Sequence, residues 1–70
     1  MMEMKRVLEK QADDGAPVVV LRDLFHAYFV GRAEGELAAH PMGAFKSLEA
    51  AKAWADHEFT GGEWRAVTVA

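Results

Sequence analysis

The sequence predicts an α+β domain: a small antiparallel sheet of four or five strands with one helix packed on one face, in the order β-β-β-β-α-β. Three observations carry this expectation. Residues 47–59 combine an N-cap serine, strong helix formers and one apolar stripe. Segments 17–22 and 24–32 are rich in β-branched and aromatic side chains. Turn signals, Asp14-Gly15 among them, punctuate the chain at short intervals.

Taken in chain order, Glu3–Lys10 is expected to pair with Pro17–Arg22 across the turn Ala12-Asp13-Asp14-Gly15. Met4, Val7, Leu8 and Gln11 would also suit one or two helical turns, so a helix is the rival for the first segment. Val18-Val19-Val20-Leu21 reads as a short buried strand. Leu24–Arg32 follows as a strand, with Phe25, Ala27 and Phe29 on one face and His26, Tyr28 and Val30 on the other. Leu24, Phe25, Tyr28 and Phe29 also fit helical spacing, with Asp23 as cap and Gly31 as stop. Ala33-Glu34-Gly35-Glu36 is a turn and Leu37–His40 a return strand. Pro41-Met42-Gly43 breaks the pattern and leads through Phe45 into the helix.

The helix is the clearest element. The Ser47 hydroxyl can accept an orphan N–H of the first turn, and Glu49 suits the positive end of the macrodipole. Leu48, Ala51, Ala55 and Phe59 recur at spacings of three and four and form the apolar stripe. Trp54 lies at its edge, either as core rim or as an exposed anchor. Thr60-Gly61-Gly62 ends the helix, because glycine takes the left-handed conformation freely. Glu63–Val69 is a short strand with Trp64, Ala66 and Thr68 on one side and Arg65, Val67 and Val69 on the other. The core is expected to bury Phe25, Phe29, Leu48, Phe59 and several valines.

Composition bounds the function. Of 36 apolar residues among 70, 13 are alanine, which leaves 23 larger apolar side chains. That suffices for one small core, so residues 1–70 are expected to form a single domain. Oligomerisation or a partner would help a chain this small. The absence of cysteine excludes disulfides and thiolate metal sites. No apolar run approaches the roughly 20 residues of a membrane span, and Met1–Lys10 is too charged for a signal peptide. A cytoplasmic protein without membrane contact is expected. Net charge is −3. It is spread evenly along the chain: residues 1–22 are neutral, 23–45 contribute −2 and 46–70 contribute −1. There is neither a basic nor an acidic tail.

Few residues could carry chemistry. The spacings of His26, His40 and His57 match no zinc motif. Asp56 and Glu58 flank His57, but neighbouring side chains on a helix point about 100° apart. Ser47 is the only serine, and its capping role accounts for it. No nucleophile–base set can be assembled. Gly61-Gly62 follows a helix, whereas a phosphate cradle precedes one. No catalytic residue, metal or cofactor is therefore expected, and the protein is not read as an enzyme.

Two binding classes remain. A sheet bearing Phe25, Tyr28, Phe29, Arg22, Arg32 and Arg65 could stack nucleic-acid bases. The aromatics divide between two faces, however, and net −3 opposes phosphate affinity. Protein binding is favoured. The face away from the helix should display His26, Tyr28 and Val30, with Trp64, and aromatic side chains anchor interfaces. The turn carboxylates Asp13, Asp14, Glu34 and Glu36 could meet a basic surface. The expected partner-binding residues are Asp13, Asp14, His26, Tyr28, Glu34, Glu36 and Trp64. A structural or oligomeric component of a mobile element is a further alternative.

Tyr28-Phe29-Val30-Gly31-Arg32, then Phe45-Lys46-Ser47-Leu48-Glu49-Ala50-Ala51-Lys52-Ala53-Trp54-Ala55, then Gly62-Glu63-Trp64 resembles small proteins encoded by phages and mobile elements of GC-rich bacteria. In these a hairpin leads into F-x-S-L-E-x-A-K-x-W-A and a tryptophan opens the next strand. The similarity spans residues 28–64 and describes a fold rather than a site. Some proteins of this style are anti-CRISPRs. The resemblance thus implies a protein of a bacterial host cell that binds a Cas effector complex and blocks its DNA binding. No functional residue carries over, since anti-CRISPRs share no common motif.

Overall fold

The computed structural model describes residues 4–67. Its elements are β1 (Met4–Gln11), β2 (Pro17–Asp23), β3 (Tyr28–Arg32), α1 (Glu36–Ala39), β4 (Met42–Phe45), α2 (Leu48–Glu58) and β5 (Arg65–Ala66). The strands form one antiparallel sheet in the spatial order β4-β3-β2-β1-β5. The α+β class, a sheet within the expected four or five strands and the main helix on one face are as the sequence predicts, but the last strand is shorter than expected, with Glu63, Trp64 and Val67 outside it. The first segment is strand, not helix. Glu3, Thr68 and Val69, which the sequence assigns to strands, lie outside the described residues.

Strand register sets the core. Val20 stands opposite Leu8 on one side and Val30 on the other, and Val18 stands between Lys10 and Arg32. Val18, Val20 and Val30 are fully buried beneath Ala51 and Ala55 of α2, and Ala12 closes the same cluster. Alanines on the helix face let α2 approach closely, so the space beneath admits valine but no aromatic ring. Tyr28, Phe45, Leu48, Trp54, Phe59 and Trp64 pack half-buried around this small centre. Ser47 caps α2 as expected, its hydroxyl accepting the Ala50 N–H at 3.1 Å. Gly61 and Gly62, at φ +91° and +83°, turn the chain away after it.

Both flanks of α2 are fastened. On the β4 side Trp54 lies between Phe45 and Phe59, with ring centroids 5.9 and 6.1 Å away. Trp54 is thus core rim. On the β1 side Lys10, only 2% exposed, donates to Asp56 at 2.7 Å. The Trp64 indole N–H donates to the same Asp56 oxygen at 3.0 Å, and the Lys10 ammonium sits 5.2 Å from the Trp64 ring centre. A buried lysine at the end of β1 was not foreseen.

Three expectations are corrected. Residues 24–27 are neither strand nor helix but the β2–β3 turn. The Asp23 carboxylate accepts the N–H groups of Phe25 and Ala27, both at 2.9 Å, and nucleates this turn. Phe25 is consequently 82% exposed rather than core. The two faces of β3 are exchanged as well: Tyr28 and Val30 face α2, while Phe29 lies on the other side over Gly43. The Val20–Val30 pair fixes this parity, since period-two alternation leaves no other choice. Finally, Leu37–His40 is no strand. Glu36–Ala39 forms a single helical turn of good helix formers, and the return strand is Met42–Phe45 instead. The Leu37 carbonyl packs against Gly31, 3.4 Å from where a Cβ would stand, and so sets the turn on β3.

Candidate functional site

Antiparallel topology gathers at one end of the sheet what the sequence disperses. The β1–β2 turn, the bend after β3 and the C-terminus of α2 all lie there. The Asp13 N–H donates to the Thr60 carbonyl at 2.8 Å and ties the turn to the helix end. Asp13, Asp14, Glu34, Glu36 and Glu58 thereby come to surround one region, all of them exposed. Two adjoining clefts, of about 490 and 350 Å³, share the Phe59 ring as a wall. The larger is lined by Ala16, Pro17, Ala33 and Leu37 together with Arg32 and the exposed Glu34 and Glu36. The smaller is lined by Asp13, Asp14 and Glu58.

Arg32 organises this end. Its guanidinium binds both Asp14 oxygens, at 2.9 and 3.1 Å, its Nε donates to the Pro17 carbonyl at 3.2 Å, and its Cζ lies over the Phe59 ring, 4.2 Å from the ring centre. The Ala16 N–H and, next, this arginine hold the Asp14 carboxyl below the ordinary aspartate range. Glu58 sits in the last turn of α2, where the helix dipole disfavours an acid. Its charge adds to the negative potential of this end at some expense to the helix.

The predicted site residues separate into two groups. Asp13, Asp14, Glu34 and Glu36 are brought together at the acidic end. His26 occupies the β2–β3 turn at the far end of the sheet, exposed and at φ 63°. Tyr28 and Trp64 pack on the helix side of the sheet, so the expected display of His26, Tyr28, Val30 and Trp64 on the uncovered face is incorrect. That face carries Val19, Leu21 and Phe29 instead, opposite in parity to the buried valines. Residue reasoning missed Arg32, Glu58 and Phe59 as parts of the acidic end. An arginine at the end of a strand beside an Asp-Gly hairpin was the available signal.

Among the described residues no three His, Asp or Glu side chains converge as a metal site, and no helix is long and apolar enough to cross a membrane. The His57–Glu58 contact at 3.0 Å joins neighbours in the open. Fold and surface together define a small α+β domain with an acidic, apolar-floored end. Comparison with protein-family models, curated proteins and solved structures finds no match to this chain.

Proposed function

We propose that this chain is a non-enzymatic protein-binding domain whose acidic end occupies a basic surface of its partner. The observation that carries the reading is the convergence of Asp13, Asp14, Glu34, Glu36 and Glu58 around two clefts that share the Phe59 ring. An apolar floor with a carboxylate rim suits lysine or arginine side chains, whose stems lie on the floor while the charges meet the rim. Nucleic-acid binding is the weaker reading. Of the arginines named above for a stacking platform, Arg32 is engaged by Asp14 and Arg65 by Glu9.

In its concrete form the domain is a phage-encoded anti-CRISPR of the bacterial cytoplasm. It blocks DNA binding by a Cas effector complex by covering that complex's basic DNA channel. The resemblance over residues 28–64 and the acidic end support this form. The test is effector–DNA binding with and without the purified protein, across several effector subtypes. Inhibition is expected, and Glu34→Lys with Glu36→Lys should weaken it about tenfold or more, with a reduced salt dependence. Unchanged DNA binding in every subtype refutes the concrete form. Direct, steeply salt-dependent binding of the protein alone to DNA or RNA would point to a nucleic-acid accessory module instead.

A further inference from the structure

We infer that this chain associates with copies of itself head to tail, the Leu24–Phe25 turn of one copy seated in the Phe59 cleft of the next. The turn is the most exposed large apolar feature among the described residues, with Leu24 70% and Phe25 82% exposed. It is also rigid. Besides the two N–H groups held by the Asp23 carboxylate, the Asp23 N–H donates to the Ala27 carbonyl at 3.0 Å and the His26 N–H to the Asp23 carbonyl at 3.3 Å. His26 adopts φ 63° to close it, a conformation that costs a non-glycine residue energy. A buried aspartate and a strained histidine hold two apolar side chains out in water. That arrangement does nothing for the core, but it presents a preorganised knob that loses little freedom on binding.

Cations share the knob's end of the sheet. Lys5 stands directly opposite Arg22 in the β1–β2 ladder, and Lys46 follows Phe45, the ladder partner of Tyr28. None of these three cations makes an ion pair among the described residues. Like charges facing across a ladder destabilise a sheet, so the pair is not there for the fold. The receiving cleft lies at the opposite end. At about 490 Å³ it falls within the roughly 300–1,000 Å³ of small-ligand pockets, with Pro17, Leu37 and Phe59 as its apolar lining, Glu34 and Glu36 as its free carboxylates, and Arg32 present but paired with Asp14. An apolar knob at the end of the sheet that carries Lys5, Arg22 and Lys46 thus matches a cleft at the end that carries Glu34 and Glu36, where Arg32 is already paired with Asp14.

Because knob and cleft sit at opposite ends, the contact is heterologous and does not close as a two-fold dimer. It shares the acidic end with the function proposed above, so self-association and partner binding compete for one surface. The experiment uses this chain alone, and its failure leaves the partner-binding reading standing.

Sedimentation velocity over rising protein concentration should show mass growing beyond the dimer, reversed by added salt. Two variants, Leu24→Ser with Phe25→Ser and Glu34→Lys with Glu36→Lys, should each stay monomeric, a loss of association of about tenfold or more. Mixed in equal amounts they should form a one-to-one dimer and stop there, since one intact knob and one intact cleft remain. Phe25→Ser alone gives a milder knob variant, and circular dichroism establishes that each is folded. A wild type that remains monomeric overturns the inference. So does one that stops at two copies, or a variant mixture that does not pair.

Discussion

The Lys10–Asp56–Trp64 group makes an asymmetric prediction about stability. The Lys10 side chain is 1% exposed and Asp56 51% exposed. Asp56→Ala strands a buried ammonium and removes the acceptor of the Trp64 N–H. Breaking a buried pair in this way costs about 3–5 kcal/mol, and we take about 3 because half of Asp56 faces water. In a domain of this size that corresponds to a fall in Tm of roughly 12–24 °C. Lys10→Met, by contrast, leaves Asp56 hydrated and still bound to Trp64, while the new side chain fills the same space. Its cost should stay within about 1.5 kcal/mol. The double variant should be more stable than Asp56→Ala by about 2 kcal/mol, because no charge is then stranded. Urea titration followed by circular dichroism measures all three against wild type, with Asp56→Asn as a milder substitute if Asp56→Ala is largely unfolded. Equal costs for the two single variants, or strict additivity in the double, would show that the lysine is not held in the core by this carboxylate.

Other outcomes are as definite. Ser47→Ala removes the cap of α2 and should cost about 1 kcal/mol in the same titration, with Ser47→Asp restoring most of it. Gly62→Ala should destabilise by more than about 2 kcal/mol, since φ is +83° and a Cβ there would collide with the Gln11 carbonyl oxygen. The Asp14 carboxyl titrates lower in the folded chain than in the unfolded one. Its stabilising contribution is therefore complete above the ordinary aspartate pKa and lost as the pH falls below about 4. Asp14→Asn should flatten that part of the stability–pH curve, and an unaltered acid limb would show that the Ala16 N–H and Arg32 do not hold this carboxylate in its charged form.

The helix was legible because all its signals agree: cap, stripe and glycine stop are local, and α2 follows them within a residue of each end. The first hairpin was legible for the same reason, through Asp14-Gly15. The β3 parity was not. Phe25 and Phe29 are the largest apolar side chains in their segment, and size alone argues for burying them. What decides is the alanine face of α2, which leaves room only for Val18, Val20 and Val30. Asp23 misled in the same way, since it caps a turn where a helix N-cap or a continuing strand was considered. The acidic end could not be read from an even spread of charge. It arises only when three separate segments are folded to one end of the sheet. Lys10 was hidden because its partner lies 46 residues away.

The strand order β4-β3-β2-β1-β5 has a consequence for how the chain reaches this state. Strands β1 to β4 pair with their neighbours in sequence and can assemble as they leave the ribosome. The last pairing is different. β5 joins β1, and the Val67 N–H meets the Val7 carbonyl at 3.1 Å, only after α2 has crossed the sheet. Until then the outer edge of β1 offers its unpaired amides and carbonyls to any passing chain. Of the strand pairings this one spans the longest separation in sequence, and its loop-closure cost is correspondingly the greatest. A nascent chain arrested after α2 should therefore be more prone to aggregate than the complete one, since β5 covers the middle of the β1 edge at Val7–Glu9.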